Sequence, residues 1–383
     1  MSLDWPHIKS CIAATPAFVL DHDQIVANLR PLQSVREATG CKLLYSMKAL
    51  PLARLLELLR GEVDGISVSS LFEARLAEEI WRDSGDIHIT TPGLRVDEFT
   101  EIARLCSHVS FNSLSQRQRL HELAGGYSKG LRVNPKLSFL DDQRYDPCRP
   151  YSKLGVDIAD LRHGLPESIQ GLHFHTVFGC ENWLPLQQTL ASLMPILEIG
   201  KNLRWLNFGG GYRYDSMADL QPLITIINSL REKRGLDIYL EPGKAVVGNA
   251  GYLVSTVVDR FISDGKTLVV LDTSVNHNPE VFEYQRKPVL LEATEDGAHS
   301  ALLVGSTCLA GDLFGEYRFS RLPDVGDKLV FADVGAYTLI KANRFNGYNL
   351  PVIYVLRAGN LELIQRFGYR DYQRQWRQVP DCG

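Results

Sequence analysis

The stretch from Cys41 to Leu50, C-K-L-L-Y-S-M-K-A-L, carries the first chemistry. An apolar run (Leu43, Leu44, Tyr45) reads as a strand ending in Ser46-Met47-Lys48, and Pro51 then opens a leucine-rich helix. Barrel enzymes place their chemistry at the C-terminal ends of parallel strands, and a lysine amine there can condense with carbonyl compounds. Taken alone, Lys48 reads as a lysine snorkelling from a strand end. The motifs further along the chain change that reading.

Leu206 to Tyr212, L-N-F-G-G-G-Y, puts Gly209, Gly210 and Gly211 just after a predicted strand. Glycine lets the backbone approach a ligand closely, and consecutive N–H groups there can surround a phosphate. Glu241-Pro242-Gly243-Lys244 follows the next strand. A carboxylate at that position can pair with the ring nitrogen of a pyridine cofactor, making the ring a sink for electrons released at a substrate carbon. Gly243 lies in the same turn, and Lys244 either adds charge near a phosphate or sits in solvent. His173-Phe174-His175 ends another strand, where an imidazole can stack on a ring. His175, nearer the strand end, is the expected partner, with His173 turned to the opposite face. Arg132 either reaches the same ring or holds a structural ion pair. No zinc-like spacing accompanies the histidines, so no metal is expected.

Gly305 to Asp312, G-S-T-C-L-A-G-D, sets Cys308 four residues ahead of Asp312 in what reads as a constrained loop. A thiol can give a proton to a carbanion, although a buried cysteine is more often a small hydrophobe. Asp333 to Thr338 is a tight turn that presents Tyr337 to a phosphate oxygen.

These residues need a scaffold. From Lys42 onwards the pattern alternates strand and amphipathic helix, with strands expected at Lys42–Met47, Gly65–Val68, Ile87–Thr91, Val109–Asn112, Leu131–Asn134, Gly171–His175, Trp205–Phe208 and Ile238–Leu240. Ser70 to Glu73 forms a capping box before one of the helices. About eight such units over roughly 200 residues match an α/β fold of the (β/α)8 barrel type; a doubly wound open sheet would need fewer. After Glu241 the helical period disappears. Runs at Gly251–Val258, Thr267–Asp272, Pro288–Ala293, Ala301–Gly305, Lys328–Ala332, Pro351–Leu356 and Leu361–Phe367 read as a mostly β domain, and Tyr369–Gln378 as a short surface helix. The expected division is a barrel over 21–245, with 1–20 and 246–383 forming the β domain.

The chain of 383 residues is 45% hydrophobic and 22% charged, as ordinary globular proteins of about two domains are. Its net charge of -4 and lack of a basic run argue against nucleic acid. No apolar run is long enough to span a membrane, and the first residues lack a leader's basic-then-apolar pattern. Seven cysteines without a C-x-x-C pair point to reduced thiols and a cytoplasmic location.

Together these segments resemble the fold-type III pyridoxal 5'-phosphate (PLP)-dependent decarboxylases, the group that includes the ornithine, arginine and diaminopimelate enzymes, over nearly the whole chain from Thr15. The resemblance implies that Lys48 carries the cofactor, His175 stacks on its ring, the Gly209–Gly211 loop and Tyr337 hold its phosphate, and Glu241 meets its ring nitrogen. It also implies a head-to-tail homodimer in which Cys308 and Asp312 complete the partner's site. Cys180-Glu181-Asn182, the Cys308-to-Asp312 loop, Phe345-Asn346-Gly347 and Asp272 with His277 resemble the branch acting on carboxylated polyamines, carboxynorspermidine and carboxyspermidine. Glu181, Asp272 and Asp312 would then hold the distal amines, because an unpaired ammonium is costly to desolvate. Two departures stand out. Thr-Val-Phe-Gly lengthens the run from His175 to Cys180, and Lys244 occupies a place where an acidic residue is expected. The rivals are decarboxylation of diaminopimelate, ornithine, lysine or arginine, an alanine-racemase-like activity, which Glu241 opposes, and a non-catalytic regulator.

Overall fold

The computed structural model describes residues 3–377 apart from residue 83, and folds them into two compact units, Asn28–Val246 and the pair of segments Met1–Ala27 and Val247–Gly383. Residues 1–2 and 378–383 of the expected β domain, including Gln378 at the end of the expected last helix, lie outside the described residues.

In the first unit eight parallel strands close on themselves. They are β2 (Lys42–Ser46), β3 (Gly65–Val68), β4 (Asp86–Thr90), β5 (His108–Phe111), β6 (Ser128–Asn134), β8 (Gly171–His173), β9 (Trp205–Asn207) and β10 (Asp237–Leu240), with the short β7 (Val156–Asp157) added beside β6. Pairing of β10 with β2 and of β5 with β6 closes the ring. The expected barrel is therefore present, with its strand boundaries shifted by at most three residues.

Helices fill the connections for identifiable local reasons. Asp21 Oδ1 accepts from the backbone N–H groups of Asp23 and Gln24 where the helix His22–Thr39 begins. Ser70 accepts from Glu73 N at the start of Leu71–Trp81, and Glu73 in turn accepts from Ser69 N. These contacts satisfy donors that the first helical turn leaves unpaired.

The barrel interior is set by strand alternation: residues two apart share a face. Trp205 points inward and lies across β6 and β8, where the chain supplies glycines. A Cβ on Gly171 would lie 1.9 Å from the Trp205 ring, and one on Gly130 2.3 Å from it. Leu44, Trp205 and Tyr239 form the apolar plug of this interior.

The second unit is a nine-stranded sheet. Its path runs β15 (Leu313–Phe319), β14 (His299–Val304), β12 (Lys266–Leu271), β11 (Gly251–Ser263), β1 (Ala17–Asp21), β17 (Val352–Arg357) and β18 (Asn360–Gln365), with β16 (Lys328–Ala332) pairing β11 and β13 (Val289–Leu290). The N-terminal strand β1 lies between β11, antiparallel, and β17, parallel. Strand β15 was missing from the sequence reading. Its glycine and charged residues (L-F-G-E-Y-R-F) weaken the β pattern, and pairing with β14 supplies the order instead.

Candidate active site

Strand register builds the site. Arg132 on β6 is level with His173 on β8, and His173 is level with Asn207 on β9. Asn207 pairs with Tyr239 of β10, two residues before Glu241. Four neighbouring strands thus deliver a cation, an imidazole, an amide and a carboxylate to one end of the barrel interior. Lys48 joins them from the 3₁₀ turn Met47–Ala49 after β2, which is tied to the Glu241 turn by Ser46 N donating to Pro242 O at 2.9 Å.

Gly243 permits that approach. A Cβ there would stand 3.0 Å from Ser46 Cβ and 3.2 Å from Ala49 Cβ, so any larger residue would push on the turn that carries Lys48. The glycine run is equally constrained. Gly209 adopts φ +67°, a Cβ on Gly210 would lie 2.2 Å from the Glu241 carbonyl oxygen, and one on Gly211 2.1 Å from that of Val177. Gly210 N donates to His175 Nδ1 at 3.1 Å, which fixes that nitrogen as the acceptor.

The electrostatics follow from burial. Lys48 is exposed, and the protein atoms around it lower its pKa by desolvation; Glu241 opposes this and Arg132 adds to it. Glu241 is buried, which alone would raise its pKa. His173, Lys48 and the Asn207 hydrogen bond outweigh that and hold the carboxyl well below the usual range. Asn207 Nδ2 donates to Glu241 Oε1 at 2.8 Å, and Asn207 Oδ1 accepts from Gly209 N at 2.8 Å. One asparagine therefore links the carboxylate to the glycine loop. Desolvation lowers the Arg132 pKa to about 10, so it stays charged near neutral pH. Burial pushes His175 far below its ordinary value, and the Lys48 and Arg132 charges push the same way.

One expectation fails here. His173 does not face away from the site: its Nε2 lies 3.6 Å from Glu241 Oε2. Residues two apart on a strand share a face, so His173 and His175 come to the same end of the barrel. Asn207 was also missed, although it sits two residues before the glycine run.

The rim carries Cys180-Glu181-Asn182. Cys180 N donates to Gly211 O, and Arg213 N to Cys180 O, each at 2.8 Å, which laces this motif to the glycine loop. Glu181 is exposed and pairs with Arg213 at 2.9 Å. The two departures in sequence meet each other. Lys244 Nζ lies 5.5 Å from the ring centroid of Phe178, the aromatic residue of the Thr-Val-Phe-Gly insertion, and Phe178 stacks on Tyr145 at 4.7 Å.

The remaining residues belong to the β unit, where three loops are stitched together. Cys308 is exposed, and its N–H donates to Asn346 Oδ1 at 2.9 Å, joining the Cys308 loop to Phe345-Asn346-Gly347. Asp312 is buried, and its carboxylate accepts from Val275 N at 2.8 Å, Thr307 N at 3.1 Å and the Thr307 hydroxyl at 2.5 Å. Asp272 accepts from Ser255 and Thr256 through one oxygen and from Thr15 through the other. Both aspartates thus spend their oxygens on their own unit, a geometry that organises loops rather than presenting a free carboxylate. Asp333 and Tyr337 both have positive φ, 60° and 58°, the backbone strain that accompanies functional turns. Burial raises the Tyr337 phenol to about 12.

A pyridine cofactor with a phosphate and a carbonyl fits the barrel's residues. They offer an amine with a lowered pKa, a buried carboxylate held ionised, a flat imidazole, and a glycine cradle that admits no Cβ.

Residues 17–335 match the family model described as pyridoxal-dependent decarboxylase, C-terminal sheet domain. The chain is 34% identical to the carboxynorspermidine/carboxyspermidine decarboxylase of Campylobacter jejuni, over 94% of this chain and 97% of the relative. It is 35% identical to the carboxyaminopropylagmatine decarboxylase of Synechocystis, over 97% of each. A crystal structure of carboxynorspermidine decarboxylase from Campylobacter jejuni, complexed with norspermidine, superposes with a TM-score of 0.86 at 33% identity, covering 94% of this chain and 99% of that one.

Proposed function

The chain belongs to the pyridoxal-dependent decarboxylases, and on that premise we propose that it removes the carboxylate of carboxynorspermidine and carboxyspermidine as a step of polyamine biosynthesis. The observation that carries this reading is the convergence of Lys48, with its lowered pKa, and the ionised, buried Glu241 at one end of the barrel. The similarity to the Campylobacter enzyme over nearly the whole chain supports the substrate. The cofactor, when bound, supplies a protonated ring that takes up the electrons of the breaking carbon–carboxylate bond.

In this proposal Lys48 would hold the cofactor and the N–H groups of Gly209–Gly211 would receive its phosphate; a phosphate role for the Tyr337 hydroxyl rests on the sequence resemblance. Glu241 keeps a proton on the ring nitrogen, with Asn207 and His173 fixing the carboxylate. His175 lies against the ring, and Arg132 supplies positive charge beside it. Gly243 acts indirectly by letting the Lys48 turn approach. Cys308 gives a proton from Sγ to the substrate carbon of a partner subunit in a homodimer with shared sites. Asp312 holds the Cys308 loop and Asp272 its neighbour, and Glu181, on the rim, would exchange its Arg213 partner for the distal amines. Among the described residues no helix is long and apolar enough to cross a membrane, and the six described cysteines are free thiols, which supports a place in the cytoplasm.

The test is CO2 release by the PLP-loaded protein from carboxynorspermidine, carboxyspermidine, carboxyaminopropylagmatine, diaminopimelate, ornithine, lysine and arginine. Turnover chiefly of carboxylated triamines supports the proposal. The Synechocystis relative favours a second reading, in which carboxyaminopropylagmatine is the preferred substrate. Turnover of only a simple amino acid would overturn both. Mixing inactive Lys48→Ala and Cys308→Ala chains tests the shared site: activity returning to about a quarter of wild type, from mixed dimers with one intact site, is the expected outcome. No recovery would mean that each chain completes its own site.

A further inference from the structure

The opposite half of the barrel interior holds a second cluster of chemically capable groups that the decarboxylase reading does not use. Asp86 and His88 lie two residues apart on β4 and so share its inward face, and His108 of β5 is directly level with His88. One ligand atom from each of the three residues falls within 4.8 Å of the others. His88 is 2% exposed, and neither of its ring nitrogens has a hydrogen-bond partner. A buried imidazole left without hydrogen bonds is costly, so this arrangement calls for an occupant.

The surroundings define what that occupant is. The His88 ring centroid lies 4.4 Å from that of Tyr239 and 5.9 Å from that of Trp205, and the His108 ring meets Trp205 edge-on at 5.3 Å. The Tyr239 hydroxyl also reaches Asp86 Oδ2, at 3.4 Å, so an occupant of this cluster meets that hydroxyl as well as the three side chains. Ser107 Oγ lies 2.9 Å from His108 Nδ1. In the tautomer whose Nδ1–H donates to this hydroxyl, Nε2 keeps its lone pair for a metal ion, and a hydrogen bond at the other ring nitrogen is the usual way such a ligand is oriented.

We propose that Asp86, His88 and His108 form a site for a divalent transition metal ion of the zinc class, on the inner wall of the barrel where β4 and β5 begin. The donor set of two imidazoles and one carboxylate suits zinc, cobalt or nickel. Binding requires two local movements. The rings, stacked at 3.9 Å and 21° apart, turn so that both nitrogens reach one ion at about 2.0–2.1 Å. Lys42, which holds Asp86 Oδ2 at 3.1 Å, gives way to the ion and returns to solvent, where 41% of its side chain already lies. The separate residues on two strands explain why no short spacing motif announces this site.

The test is equilibrium dialysis of the PLP-loaded full-length protein against Co2+ and then Zn2+, with bound metal measured directly and cobalt followed by its visible d–d band. The expected result is one ion per chain. His88→Asn and Asp86→Asn each weaken binding by about 100-fold or more, while PLP absorbance and CO2 release stay near wild type. Lys42→Met strengthens binding by removing the competing cation. If the histidine variant fails to fold, His108→Gln and Lys42→Met decide the matter. Absence of a cobalt band, or metal binding unchanged in these variants, would overturn the proposal and leave the cluster as a neutral structural pair.

Discussion

The two ends of the barrel interior use nearly the same residues for different ends. Each brings together a lysine from the strand β2 region, a carboxylate and two histidines: Lys48, Glu241, His173 and His175 at one end, Lys42, Asp86, His88 and His108 at the other. Yet Lys48 has a lowered pKa and Lys42 a raised one. Lys42 is part-exposed and touches Asp86 at 3.1 Å and the Tyr239 hydroxyl at 3.3 Å, so its desolvation cost is outweighed by pairing. Lys48, whose side chain is the more exposed of the two, shares Glu241 with Asn207 and His173 and feels the Arg132 cation. An amine kept readily deprotonated can act as a nucleophile; one locked in an ion pair cannot. Residue type does not separate the two ends. Partner geometry does.

The largest difference is expected between the two lysines. Lys48→Ala should lower CO2 release by on the order of 10^3-fold or more, as loss of a covalent anchor does. Lys42→Met should leave kcat within about threefold and cost about 1 kcal/mol or less, because its ion pair is partly solvated. Equal losses in the two variants would erase the distinction.

The carboxylates come next. Glu241→Gln should reduce kcat by about 100-fold with little change in thermal stability, since the amide preserves the Asn207 contact but removes the charge. Asp86→Asn should leave kcat nearly unchanged. A Glu241→Gln protein with full activity would remove this carboxylate from the chemistry.

Glycines sharpen the contrast further. Gly210→Ala drives a methyl into the Glu241 carbonyl oxygen and should weaken PLP affinity about tenfold or more, measured by cofactor titration. Gly171→Ala drives one into Trp205 and should instead cost about 1–3 kcal/mol of stability with PLP affinity retained. Reversal of these two outcomes would show that the ends are not separable.

A further effect concerns pH. The folded His108 pKa is lowered from 6.5 to about 4, so below pH 6.5 the unfolded chain takes up a proton that the folded chain refuses. Stability is therefore full above about 6.5 and falls as pH drops towards 4, by at most about 1.4 kcal/mol per pH unit for this residue. His108→Gln should flatten a denaturation-midpoint profile across that window. A profile unchanged by the variant would mean that His108 is protonated in the folded protein.

Much of this was legible in the chain. The strand–helix rhythm from Lys42 to Leu240 specified a barrel because period-2 and period-3.6 patterns alternate there, and both patterns depend only on local sequence. Lys48 and Glu241 stood out because each follows an apolar strand and precedes a turn-forming Pro or Pro-Gly. Glycines in a row signalled close approach, and the geometry bears out how little space surrounds them. Strand β15 was less legible, since its order comes from pairing with β14.

What the sequence by itself determined was the type of each element and the presence of reactive residues at strand ends, for these follow from neighbours within a few positions. Only the tertiary structure decided the company those residues keep. Register across β6, β8, β9 and β10 brought Arg132, His173, Asn207 and Glu241 together, and corrected His173 from bystander to neighbour of the carboxylate. Hydrogen bonds turned Asp272 and Asp312 inward to organise loops. Level strands set His88 against His108. Distances between strands, and the water excluded from between them, come from closing the barrel, and no local stretch of sequence encodes that closure.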